Sequence, residues 1–249
     1  MKPTPPWYAD WFGSAYLELY AHRDAAEAEQ VTARLLAPLG LEGRRVLDVG
    51  CGGGRFVRAV ARRGAWVVGV DLSADLLHAA RAASGPAPLG LVRADMRQLP
   101  FTTASFDLVL SMFTSFGYFP TAAEDRTALQ EMARVLRPDG ELVVDFLNAN
   151  RVRRERLDPT VRTAGPYEVH ETRRLDVAGN RIQKEIELRR GEEVRCYREE
   201  VRLWGAPELT AALAAAGLHV VQQWGDYEAH PFVAEESPRL VLHARRGAA

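Results

Sequence analysis

An apolar run that ends in an acid and alternating glycines most strongly limits how this chain can fold. Residues 46–54 are Val-Leu-Asp-Val-Gly-Cys-Gly-Gly-Gly, and a helix-like pattern of apolar residues follows at once. This order predicts a strand, a tight glycine loop and a helix whose N-terminus faces a crevice. Because glycine lacks Cβ, a bulky ligand can lie directly against the backbone of such a loop.

Strand and helix patterns alternate along residues 44–147, which predicts a parallel sheet covered by helices on both faces. We expect strands at about residues 44–50, 65–71, 89–94, 106–111 and 141–147. The helices between them are expected at 54–63, 73–83 and 121–136. Residues 14–37 predict an amphipathic helix ahead of the first strand.

The alternation stops after the fifth strand. Residues 166–204 contain three extended stretches separated by turn sequences, which indicates an antiparallel meander. The alternative is a charged flap that only covers the sheet. A helix beginning near Pro207 and strands at 218–224 and 239–244 then complete the pattern. The predicted fold class is α/β: a doubly wound, seven-stranded, mostly parallel sheet with an antiparallel last strand, and a β meander inserted after strand five.

Composition narrows the class of function. The 249 residues carry a net charge of −1, so no overall field favours nucleic acid or anionic lipid as a partner. No run approaches the roughly eighteen apolar residues of a membrane helix, and the N-terminus lacks the apolar core of a signal peptide. Cys51 and Cys196 are interpreted as free thiols of a reducing cytoplasm, and no His/Cys cluster has metal-ligand spacing. We therefore expect a cytoplasmic protein without a membrane partner or a bound metal.

Acids follow three successive predicted strands. Asp48 closes the first strand, Asp71 the second and Asp95 the third, while Ser111 closes the fourth. The carboxyl ends of parallel strands meet at one edge of the sheet, where open sheets bind ligands. An acid after the second strand can accept hydrogen bonds from both hydroxyls of a ribose, so this pattern predicts a nucleoside-containing ligand.

With these residues in place, the chain resembles a class I S-adenosylmethionine-dependent methyltransferase of the small-molecule type. The family's Asp-x-Gly-x-Gly-x-Gly pattern is met by Asp48, Gly50, Gly52 and Gly54. The resemblance implies S-adenosyl-L-methionine as cofactor and S-adenosyl-L-homocysteine as product, with Asp71 on the ribose and Asp95 on the adenine amino group. The cofactor-binding residues it implies are Asp48, Gly50, Cys51, Gly52, Asp71, Leu72, Asp95, Met96, Ser111, Tyr20 and Arg23.

The glycine loop has two other interpretations, a nicotinamide dinucleotide site and a loop that serves only packing. A nicotinamide dinucleotide also uses an acid after the second strand, but its loop has the pattern Gly-x-Gly-x-x-Gly/Ala. Here Arg55 stands at the third of those positions, where its side chain would crowd the helix against the strand. A glycine loop that served only strand-to-helix packing would not explain Asp71 and Asp95 at equivalent strand ends.

The acceptor pocket is expected from loops at the same sheet edge. We predict Phe113, Phe116, Tyr118, Asn148 and His230 as substrate-binding residues. Aromatic faces attract a cationic donor or an amine acceptor, although core packing beneath the following helix is the alternative. Orientation alone can supply roughly 7–11 kcal/mol of the barrier, and a general base helps only where a proton must leave. His230 is the candidate base and Tyr118 the second candidate; an exposed loop histidine is the alternative.

The predicted function is methyl transfer to N or O of a small molecule. The alternatives are an RNA or protein methyltransferase and a catalytically silent binder of the same cofactor. We divide the chain into an N-terminal lid helix region (1–40), a cofactor-binding core (41–150), an inserted meander or cap (151–205) and a C-terminal completion of the core sheet (206–249). The expected partner is a small-molecule acceptor, nucleic acid is disfavoured, and the meander could also build a homodimer.

Overall fold

Two sheets organise the computed structural model, which describes residues 6–20, 25–84, 90–176, 178 and 180–248. Numbered in chain order, the strands are β1 (Arg45–Val49), β2 (Trp66–Asp71), β3 (Gly90–Arg93), β4 (Phe106–Ser111), β5 (Leu136–Leu147), β6 (Thr160–Ala164), β7 (Tyr167–Leu175), β8 (Arg181–Arg190), β9 (Glu193–Arg202), β10 (Leu218–Trp224) and β11 (Arg239–Arg246). The helices are α1 (Trp7–Trp11), α2 (Ser14–Leu19), α3 (Ala25–Val31), α4 (Arg55–Ala61), α5 (Ala74–Ala82), α6 (Ala122–Val135), α7 (Ala149–Arg154) and α8 (Ala206–Ala215).

The larger sheet has seven strands in the order β10-β11-β5-β4-β1-β2-β3. Strands β1 to β5 pair in parallel, whereas β11 runs antiparallel to both β5 and β10. The predicted fold class is therefore confirmed. Alternate residues of the central strands face opposite sides, so Val109 joins one core cluster while Leu108 and Leu110 join the other.

Local signals fix the helices that follow the strands. The hydroxyl of Ser73 accepts a hydrogen bond from the Leu76 amide at 3.1 Å, which caps α5. Thr121 and Glu124 bond reciprocally at 3.2 and 3.1 Å, which gives the capping box predicted for α6. Both helices therefore begin where the sequence predicted.

A separate antiparallel sheet, in the order β6-β7-β8-β9, follows the fifth strand. It contains four strands rather than the predicted three, because residues 160–164 add β6 ahead of the expected meander. One face of this sheet is apolar: Val169, Ile186 and Leu188 are buried against Trp11 and Leu19 of the N-terminal helices. The inserted sheet is thus the platform on which α1 and α2 rest.

Three parts of the structure differ from the sequence prediction. The expected helix 14–37 is divided: α2 ends at Leu19, α3 begins at Ala25, and the stretch continues as a π-helical turn at Thr32–Leu36 and a 3₁₀ turn at Ala37–Leu39. Helix α7 was not predicted. Strand β5 begins before the expected turn at 138–140, where Asp139 has φ +59° and the pairing with β4 shifts register. Among the described residues, no helix is long and apolar enough to cross a membrane.

Candidate functional site

A cavity of about 400 Å³ opens at the carboxyl ends of β1 to β4. This is the sheet edge at which the sequence predicts Asp48, Asp71 and Asp95. The glycine loop forms one wall, the ends of β2 and β3 form another, and aromatic side chains of α1 and α2 cover it. The predicted site residues that line the cavity are Asp48, Gly50, Cys51, Gly52, Asp71, Leu72, Asp95, Met96, Tyr20, Phe113 and Tyr118. The topology therefore brings most of the predicted set together.

The loop after β1 presents its backbone to the cavity. Gly50 and Gly52 have φ values of +75° and +52°, a region that residues with a Cβ rarely adopt. A Cβ added to Gly50 would lie 2.5 Å from the Cβ of Ser115, closer than packing allows. The Ser115 hydroxyl also donates to the Gly50 carbonyl at 3.1 Å. The loop can therefore be this tight only with glycine at this position.

Asp48 is a buried carboxyl group of the cavity whose pKa is strongly perturbed. It is almost fully buried, and its Oδ2 has no hydrogen-bond partner within the described part of the chain. Burial, together with the charge of Asp71, raises its pKa to about 7, and the charge of Arg55 opposes both effects. A buried acceptor without a partner is costly, so this oxygen suits a ligand that brings a donor.

Asp71 is held in place by the backbone. Its Oδ2 accepts a hydrogen bond from the Gly52 amide at 2.8 Å, and its Oδ1 accepts one from the Ser73 amide at 2.9 Å. Burial raises the pKa of this carboxyl group, although these hydrogen bonds act in the opposite direction. Each carboxylate oxygen can accept a second hydrogen bond, so Asp71 keeps acceptor capacity toward the cavity.

Asp95 has a side-chain partner that the sequence analysis did not foresee. Arg97 donates to its carboxylate at 2.6 Å and also pairs with Glu124 at 2.7 Å. Burial acts to raise the pKa of Asp95, but the hydrogen bonds and charge of Arg97 outweigh it and hold the pKa below its ordinary value. Asp95 is therefore ionised and fixed at the rim, between Arg97 and the cavity.

Aromatic rings of the N-terminal helices close the cavity. Tyr8, Phe12 and Tyr16 line it beside Tyr118 from the loop after β4. The rings of Phe12 and Tyr118 lie 5.6 Å apart, and those of Phe12 and Tyr16 lie 5.0 Å apart. The Ser73 hydroxyl donates to the Phe12 carbonyl at 2.5 Å, which ties this cover to the start of α5.

Tyr20 connects the cover to the inserted sheet. Its phenol oxygen accepts a hydrogen bond from the Lys184 ammonium at 2.5 Å, and Lys184 also pairs with Glu171 at 3.0 Å. Burial acts to lower the pKa of Lys184, but Glu199, Tyr20 and Glu171 together raise it. Lys184 is thus a charged anchor for Tyr20. Arg23, the other predicted contact from this region, lies outside the described residues.

Four predicted site residues do not line the cavity, and these placements correct the sequence assignment. Ser111 is fully buried at the end of β4. Phe116 is equally buried, packed against the rings of Phe146 and Trp204. Asn148 caps α7 and donates to the Ser237 carbonyl at 2.8 Å. The His230 side chain is 71% exposed and pairs with Asp226 at 2.7 Å.

Several residues that line the cavity were not predicted from the sequence, and Arg55 is the most informative of them. Its guanidinium lies 4.3 Å from the centre of the Phe113 ring and forms an ion pair with Glu27. From the sequence, Arg55 argues only against a dinucleotide. Its position at the start of α4, directly after the glycines, was the signal that could have identified it. Phe12, Tyr8 and Ser115 also line the cavity but belong to no motif.

Comparison with known proteins supports the interpretation of this geometry. Residues 46–140 match the family described as a methyltransferase domain. Cypemycin N-terminal methyltransferase from Streptomyces sp is 28% identical over 209 residues, which are 83% of this chain and 85% of that protein. Demethylmenaquinone methyltransferase from Clavibacter sepedonicus is 39% identical over 114 residues, which are 45% of this chain and 44% of that protein.

A solved structure has the same fold over nearly the whole chain. The CcbJ methyltransferase from Streptomyces caelestis superimposes with a TM-score of 0.80 at 24% identity, covering 98% of this chain and 99% of that one. Residues 46–140 form a class I methyltransferase domain. The recognition made from the glycines and acids is confirmed, as is S-adenosylmethionine as the cofactor of this class. The chain spans about half of the length of most curated relatives that it matches.

The residues of this domain fit that cofactor. Within the described residues the buried Asp48 Oδ2 has no donor, and Asp71 keeps acceptor capacity. The walls of the cavity also supply aromatic faces and the thioether of Met96, which suit a flat purine ring and a sulfonium. The chemistry of the site therefore agrees with the family.

Proposed function

We propose that the protein is an S-adenosylmethionine-dependent methyltransferase that transfers a methyl group to N or O of a small molecule. The observation that carries this proposal is the cavity itself. It combines the glycine loop and three strand-end carboxylates with a cover of aromatic rings from α1 and α2. The family match supports the cofactor, and the names of the relatives support a small acceptor.

We assign the cofactor contacts by the chemistry of each wall. Asp71 accepts hydrogen bonds from the ribose hydroxyls, because its free lone pairs are the acceptors left at the end of β2. Asp95 faces the adenine amino group, with Leu72 and Met96 beside the ring. The backbone of Gly50, Cys51 and Gly52 approaches the methionine portion. These roles extend the sequence predictions for residues that line the cavity.

When bound, S-adenosylmethionine supplies a methyl group that is already activated by the positive sulfonium. The chain therefore has to align the acceptor with that group and exclude water. Phe113 and Tyr118 form part of the cavity wall beneath the aromatic cover. Guanidinium groups of Arg55 and Arg239 already lie near the Phe113 ring. Tyr118 is therefore the ring of this pair that can attract a cation. Its face favours an amine acceptor over a neutral hydroxyl. The Tyr118 hydroxyl donates a hydrogen bond to the Thr114 carbonyl. We therefore keep Tyr118 as a residue that contacts the methyl acceptor, and we assign no general base.

Transfer of a labelled methyl group tests the proposed function. Purified protein is incubated with methyl-labelled S-adenosylmethionine and a small-molecule fraction of a bacterial lysate, and in parallel with the RNA and the protein fractions. Label in the small-molecule fraction is expected. Label confined to RNA or protein would replace the proposed acceptor class by a macromolecular one.

A catalytically silent binder is the second candidate function. The observation that favours it is the placement of His230, which the structure keeps outside the cavity and pairs with Asp226. Tight binding of S-adenosylhomocysteine without label transfer to any fraction would support this candidate. Methyl transfer does not always require removal of a proton, so catalysis is kept as the first candidate.

The remaining assignments concern location and assembly. We propose that the protein acts in the cytoplasm, which the free Cys51 and Cys196 support. We keep the four-region division at residues 1–40, 41–150, 151–205 and 206–249. A homodimer through the inserted sheet stays a prediction, and its mass in solution by light scattering tests it. The face of this sheet that contacts α1 and α2 is already used within the chain.

A further inference from the structure

The turn after β4 has an unusual backbone. Phe113 and Thr114 follow one another with φ values of +59° and +60°, although neither is glycine. This left-handed region is sparsely populated by residues with a Cβ, and it persists only where the surroundings hold it. Two such residues in succession therefore require specific contacts that keep the turn in place.

A buried group of three side chains supplies these contacts. Asp145, fully buried in β5, accepts a hydrogen bond from the Phe113 amide at 2.8 Å, and its own carbonyl accepts one from the Thr114 amide at 3.0 Å. Arg239 from β11 donates to the Thr114 hydroxyl at 2.8 Å and to the Asp145 carboxylate at 2.8 Å. The Tyr227 hydroxyl donates to the same carboxylate at 2.6 Å. We call Asp145, Tyr227 and Arg239 the turn-holding cluster.

The turn-holding cluster contains one acidic and one basic side chain, and both are largely buried. The Asp145 side chain is fully buried, and that of Arg239 is 17% exposed. Burial acts to lower the pKa of Arg239, but Asp145 raises it above its ordinary value, so Arg239 stays charged. Burying an ion pair of this kind is weak evidence for stability by itself. Its geometry therefore suggests a positional purpose, since both partners bond to the turn.

The turn that this cluster holds forms part of the cavity. Phe113 and Ser115 line it, and Ser115 donates to the Gly50 carbonyl at 3.1 Å. Two guanidinium groups lie near the Phe113 ring, with Arg55 at 4.3 Å and Arg239 at 5.6 Å from its centre. A shift of the turn would thus move both the aromatic wall and the support of the glycine loop.

We propose that Asp145, Arg239 and Tyr227 are positioning residues that fix the Phe113–Ser115 turn against the glycine loop and so set the affinity for the cofactor. This inference rests on the proposed function, because it assumes that S-adenosylmethionine occupies the cavity. The three residues do not line the cavity, so they act through the turn. They come from β5, β11 and the loop before β11, far from the glycine motif in sequence.

Calorimetric titration with S-adenosylhomocysteine tests the inference in four proteins: the unmodified chain, Asp145→Asn, Thr114→Gly and the double variant. Asp145→Asn is expected to weaken binding at least tenfold. Glycine tolerates φ near +60°, so Thr114→Gly needs less support from the cluster. In the Thr114→Gly background, the same Asp145→Asn change is therefore expected to cost less than threefold.

Thermal unfolding of the same proteins separates position from stability. A merely structural role would lower the melting temperature by the same amount in both backgrounds and leave the calorimetric affinities of the folded proteins unchanged. The inference would be overturned if Asp145→Asn lost the same affinity in both backgrounds. It would also be overturned if Asp145→Asn alone bound within twofold of the unmodified chain. Glu235→Gln, which changes an exposed pair with Arg154 at the same end of the sheet, is the matched control and is expected to bind normally.

If Asp145→Asn does not fold, Tyr227→Phe carries the test, because it removes one hydroxyl and leaves the charged pair. It is expected to weaken S-adenosylhomocysteine binding at least threefold, and this loss is expected to disappear in the Thr114→Gly background. Unchanged affinity would overturn the inference while the proposed function stands. An unmodified protein that does not bind S-adenosylhomocysteine would instead overturn the proposed function, and the inference with it.

Discussion

Asp48 is expected to make the folded protein less stable as the pH rises. The group has a pKa of about 7 in the folded state, raised from 3.8. Between these values the folded state keeps its proton while the unfolded state releases it. Stability from this group is therefore fully present below about pH 4 and is lost as the pH rises through about 7.

The size of this effect follows from the width of that window. Each pH unit within it costs the folded state about 1.4 kcal/mol. From pH 5 to pH 7 the loss is about 2.3 kcal/mol, and it levels off at about 2.7 kcal/mol near pH 8. Asp48→Asn keeps the shape of the side chain and removes the titration. The stability of this variant relative to the unmodified protein should thus rise by about 2–3 kcal/mol between pH 5 and pH 8.

Urea unfolding of both proteins at pH 5 and pH 8 measures this difference. Comparing the two pH values cancels the constant contribution of the new amide. The same variant is expected to lose affinity for S-adenosylhomocysteine. The reason is that Oδ2, the oxygen without a partner among the described residues, is absent from the amide side chain or replaced by nitrogen. A stability difference that is the same at both pH values within about 0.5 kcal/mol would refute the reasoning about burial.

Three further perturbations have defined outcomes. Gly50→Ala should destabilise the fold by about 1–3 kcal/mol and weaken S-adenosylhomocysteine binding more than tenfold, since the new Cβ meets Ser115. Adding Ser115→Gly should recover part of both losses, and no recovery would contradict the steric account. Lys184→Met should speed S-adenosylhomocysteine release in stopped-flow experiments, because Tyr20 loses its anchor; an unchanged rate would show that the anchor is dispensable. His230→Ala should leave label transfer within twofold, and a larger loss would mean that this exposed loop reaches the acceptor.

The glycine loop and the order of the sheet could be predicted because both depend on local patterns. Asp48, Asp71 and Asp95 each end a strand, and parallel pairing necessarily gathers strand ends at one edge. The capping residues of α5 and α6 are equally local. These features needed no knowledge of long-range contacts, and the structure places them as expected.

The lid and the acceptor side could not be predicted to the same degree. The sequence predicts His230 at the site because the loop before β11 returns to the ligand edge, but in the structure Tyr227 is the residue of that loop that turns inward. The sequence also predicts Phe116 there as an aromatic residue after β4, yet Phe116 is buried in the core behind the left-handed turn at Phe113 and Thr114. Which ring faces the cavity depends on tertiary contacts such as those of Asp145, which leave no pattern in the sequence.

The central claim is that the strand-end carboxylates and the glycine loop bind an adenosyl sulfonium. Calorimetric titration of S-adenosylmethionine into the unmodified protein, Asp71→Ala and Asp95→Ala tests it most directly. The account predicts one-to-one binding to the unmodified protein and at least tenfold weaker binding to each variant. Equal affinities in all three proteins, or no binding to the unmodified protein, would contradict it.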